Sequence, residues 1–392
     1  MSLNIARVFK LVVRLVTDTI SSLSSIPFSK TSDGLLVIKS DGIGDYFLFR
    51  PFLPILKAYA QQKNWTVTLL VQNPVYSFSM EHDQKSIDFW TLFDQNQYMK
   101  SLLYRFSFNR KIRKHHFATA FIPMTSRNIN CHDSLIRNCI AIEKVGVIDD
   151  SYNSYLHRSS IITDTWFTKL LDPAILPNDF EYIRNRKVIA AFTGFTTEEV
   201  EKRENVNLQV SHSGDFPKTH IVIFHGASSE QKRWNPENWI TLFKAFPVNQ
   251  FVLCGGTQEI TQGQYIAKSL SSFGHHVDDQ TGKTSLEQMA GLIGNAKVLV
   301  SNETMAVHIA FLCKTPTLVI TNGNHYLRFH PYPQKLAPFI NFVYPSRFKN
   351  SEPEISDTIH KTGIYETSFD INEVEPKQVL DDLNNLLSGC YE

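Results

Sequence analysis

The chain has 392 residues, and its 39 Lys and Arg residues nearly balance 38 Asp and Glu residues. This length is too great for one ordinary hydrophobic core and favours two domains. A content of 42% hydrophobic and 20% charged residues is typical of a globular protein and argues against extended disorder. The net charge of +1 disfavours nucleic-acid binding, because binding to a phosphate backbone requires many clustered cations.

The amino-terminal segment combines a wide apolar surface with a narrow polar stripe. At about 100° per residue, a helix over residues 5–21 gathers its polar side chains on one side. These side chains are Arg7, Lys10, Arg14, Thr17, Asp18 and Ser21. A basic amphipathic helix of this kind suits the headgroup region of an anionic membrane, and docking on the protein's own surface or on a partner explains it equally well.

No segment contains the ~20 apolar residues that a membrane-spanning helix requires. Lys10 and Arg14 interrupt the first apolar stretch, which argues against a signal peptide. Five cysteines without a C-x-x-C spacing indicate neither a disulfide framework nor a zinc site. We therefore expect a cytosolic protein, or one that contacts a membrane from the cytosolic side.

Residues 34–205 alternate between short apolar runs and helical stretches, after a helix and connector that occupy residues 1–33. The run 35–38 predicts a buried parallel strand, and 45–61 predicts a helix with Pro51 and Pro54 in its early turns. Further strands are expected at 66–71, 117–123 and 144–148. This alternation is typical of βα units on a parallel sheet and predicts a first α/β domain.

A polar stretch at 202–218, with Gly214 and Pro217, predicts a linker between domains. The second domain, 206–392, repeats the alternation. Its strands are expected at 221–224, 251–254, 298–301 and 317–320, and its helices at 236–246, 260–272, 286–293, 304–313 and 376–387. Because ligands of open parallel sheets bind beyond the carboxyl ends of strands, the segments just after Ile38, Phe224, Cys254 and Ser301 are candidate binding loops.

Several familiar site patterns are excluded. The pattern Gly42-x-Gly44 is not a dinucleotide fingerprint, because Phe47 occupies the third glycine position. Gly282-Lys283-Thr284 is not a P-loop, because the first glycine is replaced by Val277. No H-E-x-x-H, G-x-S-x-G or D-x-D pattern is present, and no metal site is expected.

The segment 40–45, Ser-Asp-Gly-Ile-Gly-Asp, joins the first predicted strand to a helix, and Pro51 follows. It resembles the acceptor side of glycosyltransferase family 9, whose members include the lipopolysaccharide heptosyltransferases. The resemblance implies that Asp45 is the catalytic base, with Gly44 and Arg50 beside it on the acceptor side. A carboxylate at a loop-helix junction suits proton removal from an acceptor hydroxyl. The alternative is that Asp45 caps the helix.

The second element begins with the small-residue loop 225–229, which precedes Lys232, Trp234 and Pro236. It is similar to the family's donor-diphosphate loop, although Asn235 separates the Trp and the Pro. The resemblance implies that Ser228, Ser229 and Lys232 hold the diphosphate. Small residues let backbone amides approach phosphate, and lysine supplies a positive charge. A lone lysine is more often ordinary solvated surface.

The third element covers 301–308, Ser-Asn-Glu-Thr-Met-Ala-Val-His. It resembles the family's donor signature, and the resemblance implies donor binding by Asn302, Glu303, Thr304 and His308. Amides at a helix amino terminus favour a pyrophosphate. Many family members have Asp where this chain has Glu303 and Gly where it has Met305, so the nucleotide-sugar stays open. The alternative is a capped helix with a structural histidine.

Two further loops enter the hypothesis. The loop 254–259 follows a strand where family members bind the nucleoside, which implies donor contacts for Gly255 and Glu259. Glu259 as an ordinary surface carboxylate is an equally good interpretation. The aromatic and polar loop 322–329 follows the last strong strand, and the sequence assigns no role to its residues.

The resemblance covers roughly residues 35–333 and implies a GT-B fold, in which two Rossmann-like domains face a cleft. It implies an inverting, metal-independent transfer from ADP-heptose, or another nucleotide-sugar, to a lipopolysaccharide core or related surface glycan. No cofactor is expected besides this substrate. The implied location is the cytoplasmic face of the bacterial inner membrane, with peripheral contact through the N-terminal helix. The alternatives are a nucleotide-sugar epimerase and a non-catalytic nucleotide-sugar-binding scaffold subunit of a polysaccharide assembly complex.

Overall fold

A computed structural model describes residues 5–23, 34–150, 160–209, 220–244, 246–247, 250–367 and 369–389. Most of the expected connector before residue 34 and the 210–218 part of the expected linker lie outside these residues. The described residues form two compact units, and the last boundary between them along the chain falls between Asn205 and Val206. Each unit is an α/β structure, as the sequence predicts.

The first 205 residues contain the following elements. The helices are α1 (Ile5–Leu23), α2 (Ile43–Phe49), α3 (Leu53–Gln61), α4 (Val75–His82), α5 (Gln95–Lys100), α6 (Leu102–Ile112), α7 (His132–Asn138), α8 (Ser160–Thr163), α9 (Glu181–Thr193) and α10 (Thr197–Arg203). The strands are β1 (Gly34–Ile38), β2 (Thr66–Gln72), β3 (Phe89–Phe93), β4 (His116–Phe121), β5 (Ile140–Val147) and β6 (Lys169–Leu171).

The remaining residues contain a second series of elements. Its helices are α11 (Pro236–Lys244), α12 (Ile260–Ser272), α13 (Leu286–Gly294), α14 (Met305–Cys313), α15 (Ser346–Thr362) and α16 (Pro376–Gly389). Its strands are β7 (Ile221–Phe224), β8 (Gln250–Cys254), β9 (His276–Asp279), β10 (Val298–Asn302), β11 (Thr317–Ile320) and β12 (Ile340–Val343).

The two units contain parallel sheets of the same topology. The strand order is β3-β2-β1-β4-β5-β6 in the first sheet and β12-β11-β10-β7-β8-β9 in the second. The described strands pair in parallel in both sheets, for example Leu35 with Val67 and Ile221 with Phe251. Each order reverses at the strand that starts its series, as in Rossmann folds, and places a ligand crevice at the carboxyl ends of the central strands. The predicted pair of Rossmann-like domains is confirmed.

Four strands are absent from the sequence prediction, and all four lie at the edges of the sheets. β3 and β6 flank the first sheet, and β9 and β12 flank the second. Their residues are partly exposed, as in the pattern of intermediate residues along β9. An edge strand of this kind lacks the continuous apolar run by which a strand buried on both faces is recognised.

The helix expected at 45–61 is interrupted. It forms as α2 and α3, with a turn of 3-10 helix at Arg50–Phe52 between them. Pro51 and Pro54 occupy early positions of the last two pieces, where proline's missing N–H leaves no hydrogen bond unmade. The interruption therefore follows from the prolines that the sequence shows.

Two segments from the first 205 residues belong to the second unit, although the predicted domains 34–205 and 206–392 are continuous. These segments are Ile43–Leu48 and Leu176–Glu181. The second of them is anchored by side chains: Arg328 donates to Glu181 at 2.9 Å, and the Tyr365 hydroxyl donates to the carbonyl of Pro177 at 2.6 Å. The second unit is therefore built from three stretches of chain.

Helix α1 docks on the first unit through its polar stripe. The Asp18 carboxylate is buried and accepts from the Arg105 guanidinium at 2.6 and 2.7 Å and from the Asn109 amide at 2.7 Å. Arg14 donates to Asn130 at 2.9 Å. The polar stripe from Arg14 to Ser21 therefore faces the protein, whereas Lys10 is exposed, and this supports the docking alternative. No helix in the described part of the chain is long and apolar enough to cross a bilayer.

We expect Asp18→Ala to lower the free energy of unfolding by about 3 to 5 kcal/mol, because it leaves the buried Arg105 guanidinium without its counter-charge. Urea denaturation followed by circular dichroism measures this change. The double variant Asp18→Ala/Arg105→Leu removes both charges and should recover part of the loss. A single variant as stable as wild type would contradict the docking mode.

Candidate functional site

The candidate site lies at the carboxyl ends of the central strands of the second unit. Three expected binding loops begin there: His225 follows β7, Gly255 follows β8 and Glu303 follows β10. In the sheet, β10 lies between β7 and β11. The loops that follow β7, β10 and β11 are therefore neighbours. This is the edge at which open parallel sheets bind ligands.

One lysine joins the loops that follow β7, β10 and β11. Lys232, only 9% exposed, places its ammonium 2.6 Å from the Glu303 carboxylate and 3.0 Å from Nδ1 of His325. Lys232 comes from the loop after β7, Glu303 directly follows β10, and His325 belongs to the loop after β11. Burial raises the pKa of Glu303, while the charge of Lys232 opposes this rise. The lysine is therefore part of a built cluster and not solvated surface.

The loop after β11 holds His325 in a backbone conformation that non-glycine residues seldom adopt. His325 and Leu327 both have φ of 66°. Such left-handed residues cost about 1 to 2 kcal/mol each, and they persist where the surroundings fix them. Here His330 fixes the loop, because its ring nitrogens bond to the Asn324 carbonyl at 2.7 Å and to the Tyr344 hydroxyl at 3.0 Å. The strained backbone directs the His325 ring at Lys232.

Helix α14 begins beside this cluster. Thr304 is its N-cap and accepts from the amide of Ala306 at 3.1 Å. The helix starts at Met305, as the sequence predicts within one residue. Amides of a first helical turn and the positive end of the helix dipole favour an anion. Because Thr304 directly follows Glu303, these amides lie next to the Lys232 cluster.

His308 occupies the first turns of α14 as a neutral, buried ring. Its Nδ1 lies 2.6 Å from the Tyr332 hydroxyl. Burial, reinforced by the charge of Lys232, lowers the pKa of His308 to about 3. His308 is therefore uncharged at neutral pH, and it can orient a bound group through one hydrogen bond without attracting it as a cation.

Asp45 lies in a helical turn that packs against His308. A β-carbon placed on Gly44 would lie 2.7 Å from Cδ2 of His308 and 3.6 Å from the Cα of Met305. Only glycine allows this approach, so Gly44 brings the first turn of α2 onto the first turn of α14. Asp45 is the third residue of α2, so it is not the N-cap that the alternative interpretation required. Gly44, the residue before Asp45, thus packs on the helix whose start adjoins the Lys232 cluster.

Asn302 and Glu259 are engaged with the protein itself. The Asn302 side chain is buried, donates to the carbonyl of His225 at 2.7 Å and accepts from the amide of Trp234 at 3.3 Å. Glu259 is also buried, pairs with Arg233 at 2.7 Å and accepts from the Gly256 amide at 2.8 Å. Glu259 is not the surface carboxylate of the alternative interpretation. In these contacts both side chains position the loops.

The other expected site residues are distributed as follows. Ser228 and Ser229 are exposed ahead of the turn that carries Lys232. At Gly255, a β-carbon would lie 3.1 Å from the Thr281 side chain, which explains the small residue there. Arg50 belongs to the first unit, where it pairs with Asp83 at 2.8 Å. This contact ties Arg50 to the end of α4.

Comparisons with known proteins agree with this geometry. Residues 179–353 match the sequence model of the family described as glycosyltransferase family 9 (heptosyltransferase), a match that includes Lys232, Glu303 and His308. Residues 179–353 therefore carry a glycosyltransferase family 9 domain. A search of curated proteins finds no match.

Solved structures of family 9 proteins have the same fold. The family 9 glycosyltransferase of Veillonella parvula DSM 2008 is 14% identical, with a TM-score of 0.65 over 93% of this chain and 99% of that chain. E. coli heptosyltransferase WaaC with ADP is 13% identical, with a TM-score of 0.60 over 90% and 99%. E. coli ADP-heptose lipopolysaccharide heptosyltransferase II is 16% identical, with a TM-score of 0.62 over 92% and 100%. The predicted GT-B-type fold of a glycosyltransferase is confirmed.

Three residues of the family 9 site have no role in the sequence analysis. His325 contacts Lys232, Tyr332 contacts His308, and Arg233 pairs with Glu259. The sequence placed His325 in a polar loop after a strand, which is a signal for a binding loop but not for a partner. Tyr332 carries no local signal, because it reaches His308 from 24 residues away.

We expect Gly44→Ala to lower kcat/KM about 10- to 100-fold, because the added methyl group displaces the His308 ring or the turn that carries Asp45. Steady-state kinetics measure the loss, and Gly44→Val should lose more. Ile43→Val changes the preceding residue of the same turn without adding volume and serves as the control. Equal activity of Gly44→Ala and wild type would contradict the close packing.

We expect the free energy of unfolding to fall as the pH drops from 6.5 to 4. Burial lowers the pKa of His225 to about 4 and that of His330 to about 3, and the unfolded chain therefore binds more protons in this range. His330→Gln removes one such group and should reduce the slope by up to about 1.4 kcal/mol per pH unit. Urea titrations at several pH values measure the slope, with the exposed His360→Gln as control; an unchanged slope in His330→Gln would refute the assignment.

Proposed function

We propose that this family 9 enzyme transfers a sugar from a nucleoside-diphosphate donor to a membrane-anchored surface glycan, with inversion at the anomeric carbon. The donor diphosphate binds at the start of α14. Lys232 supplies positive charge from one side, and the amides after Thr304 supply hydrogen bonds from the other. With these groups meeting the charge of the diphosphate, the proposed reaction uses no metal ion.

Asp45 acts as the base in a single displacement. The acceptor oxygen attacks the anomeric carbon as the bond from that carbon to the phosphate oxygen breaks. The acceptor proton passes to the Asp45 carboxylate, and the electron pair leaves with the diphosphate. Attack on the face opposite the leaving group inverts the anomeric centre. Lys232 and the helix amides stabilise the negative charge that develops on the departing phosphate.

The packing of Gly44 on His308 is the observation that carries this proposal. It joins the residue before Asp45 to the helix whose amino terminus meets the Lys232 cluster. A base on one side and a diphosphate cradle on the other suit a sugar held between them. A lysine or an aspartate alone on the protein surface would not support the same proposal.

The donor that we propose is ADP-heptose, and the acceptor is a lipopolysaccharide core or related glycan. Two E. coli proteins of the same fold are named as heptosyltransferases: WaaC, solved with ADP, and ADP-heptose lipopolysaccharide heptosyltransferase II. Glu303 and Met305 adjoin the cradle and differ from the residues common in the family, so they are expected to tune donor choice. The acceptor places the enzyme at the cytoplasmic face of the bacterial inner membrane, with peripheral contact through α1.

The test combines donor binding with turnover. ADP-, GDP- and UDP-sugars are compared by thermal shift, and ADP-heptose is expected to raise the unfolding temperature most. Asp45→Asn should keep this shift and lower kcat about 10²- to 10⁴-fold, because it removes the base and leaves the diphosphate cradle intact. Asp357→Asn changes an exposed carboxylate of α15 that pairs with the exposed Lys361 and is the control.

Three outcomes would contradict the proposal. The absence of a thermal shift with any nucleotide-sugar would contradict the proposed donor site. Full activity of Asp45→Asn would contradict the role of Asp45 as the base. Turnover of the donor without an acceptor would favour the epimerase alternative.

A further inference from the structure

The outward side of α1 is an apolar stripe, which we define as Phe9, Val12, Val16, Ile20 and Leu23. These side chains are 51% to 82% exposed. Their spacing of three or four residues places them on one face of the helix. An amphipathic helix on a globular protein normally packs its apolar face inward. In α1 the polar side is inward, and the apolar stripe is left uncovered in the described structure.

This orientation is fixed by buried polar contacts. The Asp18 carboxylate meets the Arg105 guanidinium with both side chains inaccessible to solvent. Arg105 also donates to the carbonyl of Asn130 at 2.7 Å, and Arg14 donates to the Asn130 side chain. Rotating α1 to cover the apolar stripe would break these contacts and expose or strand the charges. The outward apolar stripe is therefore a stable feature of the first unit.

Positive charge collects beside the carboxyl-terminal end of the apolar stripe. Arg137 donates to the hydroxyl of Thr19 in α1 at 3.3 Å, and Lys144 donates to the carbonyl of Arg137 at 3.0 Å. Burial lowers the pKa of Lys144, and so do the charges of Arg113 and Arg137. The Arg137 guanidinium also lies 5.0 Å from the ring centre of Trp166. Arg137 therefore lies beside the carboxyl-terminal end of the apolar stripe, with Lys144 and Trp166 against it.

This combination fits a lipid surface better than a second copy of the chain. Stable protein interfaces use about 20 to 30 residues on each side, whereas the apolar stripe is a single face of one helix. A bilayer interface accepts apolar side chains at the acyl boundary and attracts cations to anionic headgroups. Tryptophan is also suited to this boundary, since one end of its ring system is apolar and the other polar.

We propose that the apolar stripe of α1 inserts into the surface of an anionic bilayer, while Arg137 meets the headgroup phosphates. This inference deepens the membrane contact of the proposed function and rests on it for its purpose. It combines the two interpretations that the sequence left open: Arg14 and Asp18 of the polar stripe anchor the helix to the protein, and the apolar stripe meets the lipid. Vesicle binding needs neither donor nor acceptor, so the two proposals fail separately.

The test is cosedimentation of the full-length protein with phosphatidylcholine vesicles that contain or lack phosphatidylglycerol. We expect binding that requires phosphatidylglycerol and weakens with salt. Val16→Ser/Ile20→Ser should weaken it at least about tenfold, because two apolar side chains no longer enter the acyl boundary. Arg137→Gln should weaken it about fivefold and reduce its salt dependence.

Two controls separate the apolar stripe from general surface effects. Phe273→Ser/Ile364→Ser removes two exposed apolar side chains of the second unit and should leave vesicle binding unchanged. The thermal shift with donor should be the same in every variant, which reports an intact donor site. Wild type that ignores anionic vesicles, or serine variants of the apolar stripe that bind as wild type does, would overturn the proposal. A wild-type protein that sediments as a dimer without vesicles, with serine variants of the apolar stripe that sediment as monomers, would also overturn the proposal. In that case a second copy of the chain would cover the apolar stripe.

Discussion

The contact between the Lys232 ammonium and the Glu303 carboxylate is the interaction on which the second unit's site depends. A lysine this deeply buried needs a counter-charge, and removing one partner of a buried pair costs about 3 to 5 kcal/mol. The pair joins the loops after β7 and β10, and His325 adds the loop after β11. Three adjacent strand ends are thus fixed by a single ammonium group. The positive charge that would meet a diphosphate also holds its own binding loops together.

The central strands of both sheets could be predicted from the sequence, and the edges could not. β7 and β11 fall at the expected residues, since a strand buried on both faces needs a continuous apolar run. β3, β6, β9 and β12 are partly solvated, and their residues follow no such pattern. The site shows the same division. Local chemistry identified Lys232 and the start of α14, because small residues, a charge and a helix cap are adjacent in the sequence.

The sequence could not predict contacts between residues that are far apart in the chain. The sequence indicates only that Gly44 belongs to an acceptor loop. The structure shows that a glycine is needed there because the ring of His308, 264 positions later, packs against it. Asn302 and Glu259, which the resemblance implies as donor ligands, also hold loops in place through contacts that the sequence does not show. For α1 the periodicity was correct, but the direction in which its polar side points depends on Arg105. A helical pattern specifies two faces and leaves open which of them the protein covers.

The contribution of Leu176–Glu181 to the second unit sets a limit on how the chain can be divided. This segment carries Phe180, which packs on Tyr332, the residue that bonds to His308. A fragment cut at the 205/206 boundary would lose this support and the Gly44 turn together, although the Rossmann-like sheet of residues 206–392 would be complete. The family 9 match begins at residue 179, within the same segment. The second unit is therefore discontinuous in the chain. Transferring it intact into another protein would require all three of its segments.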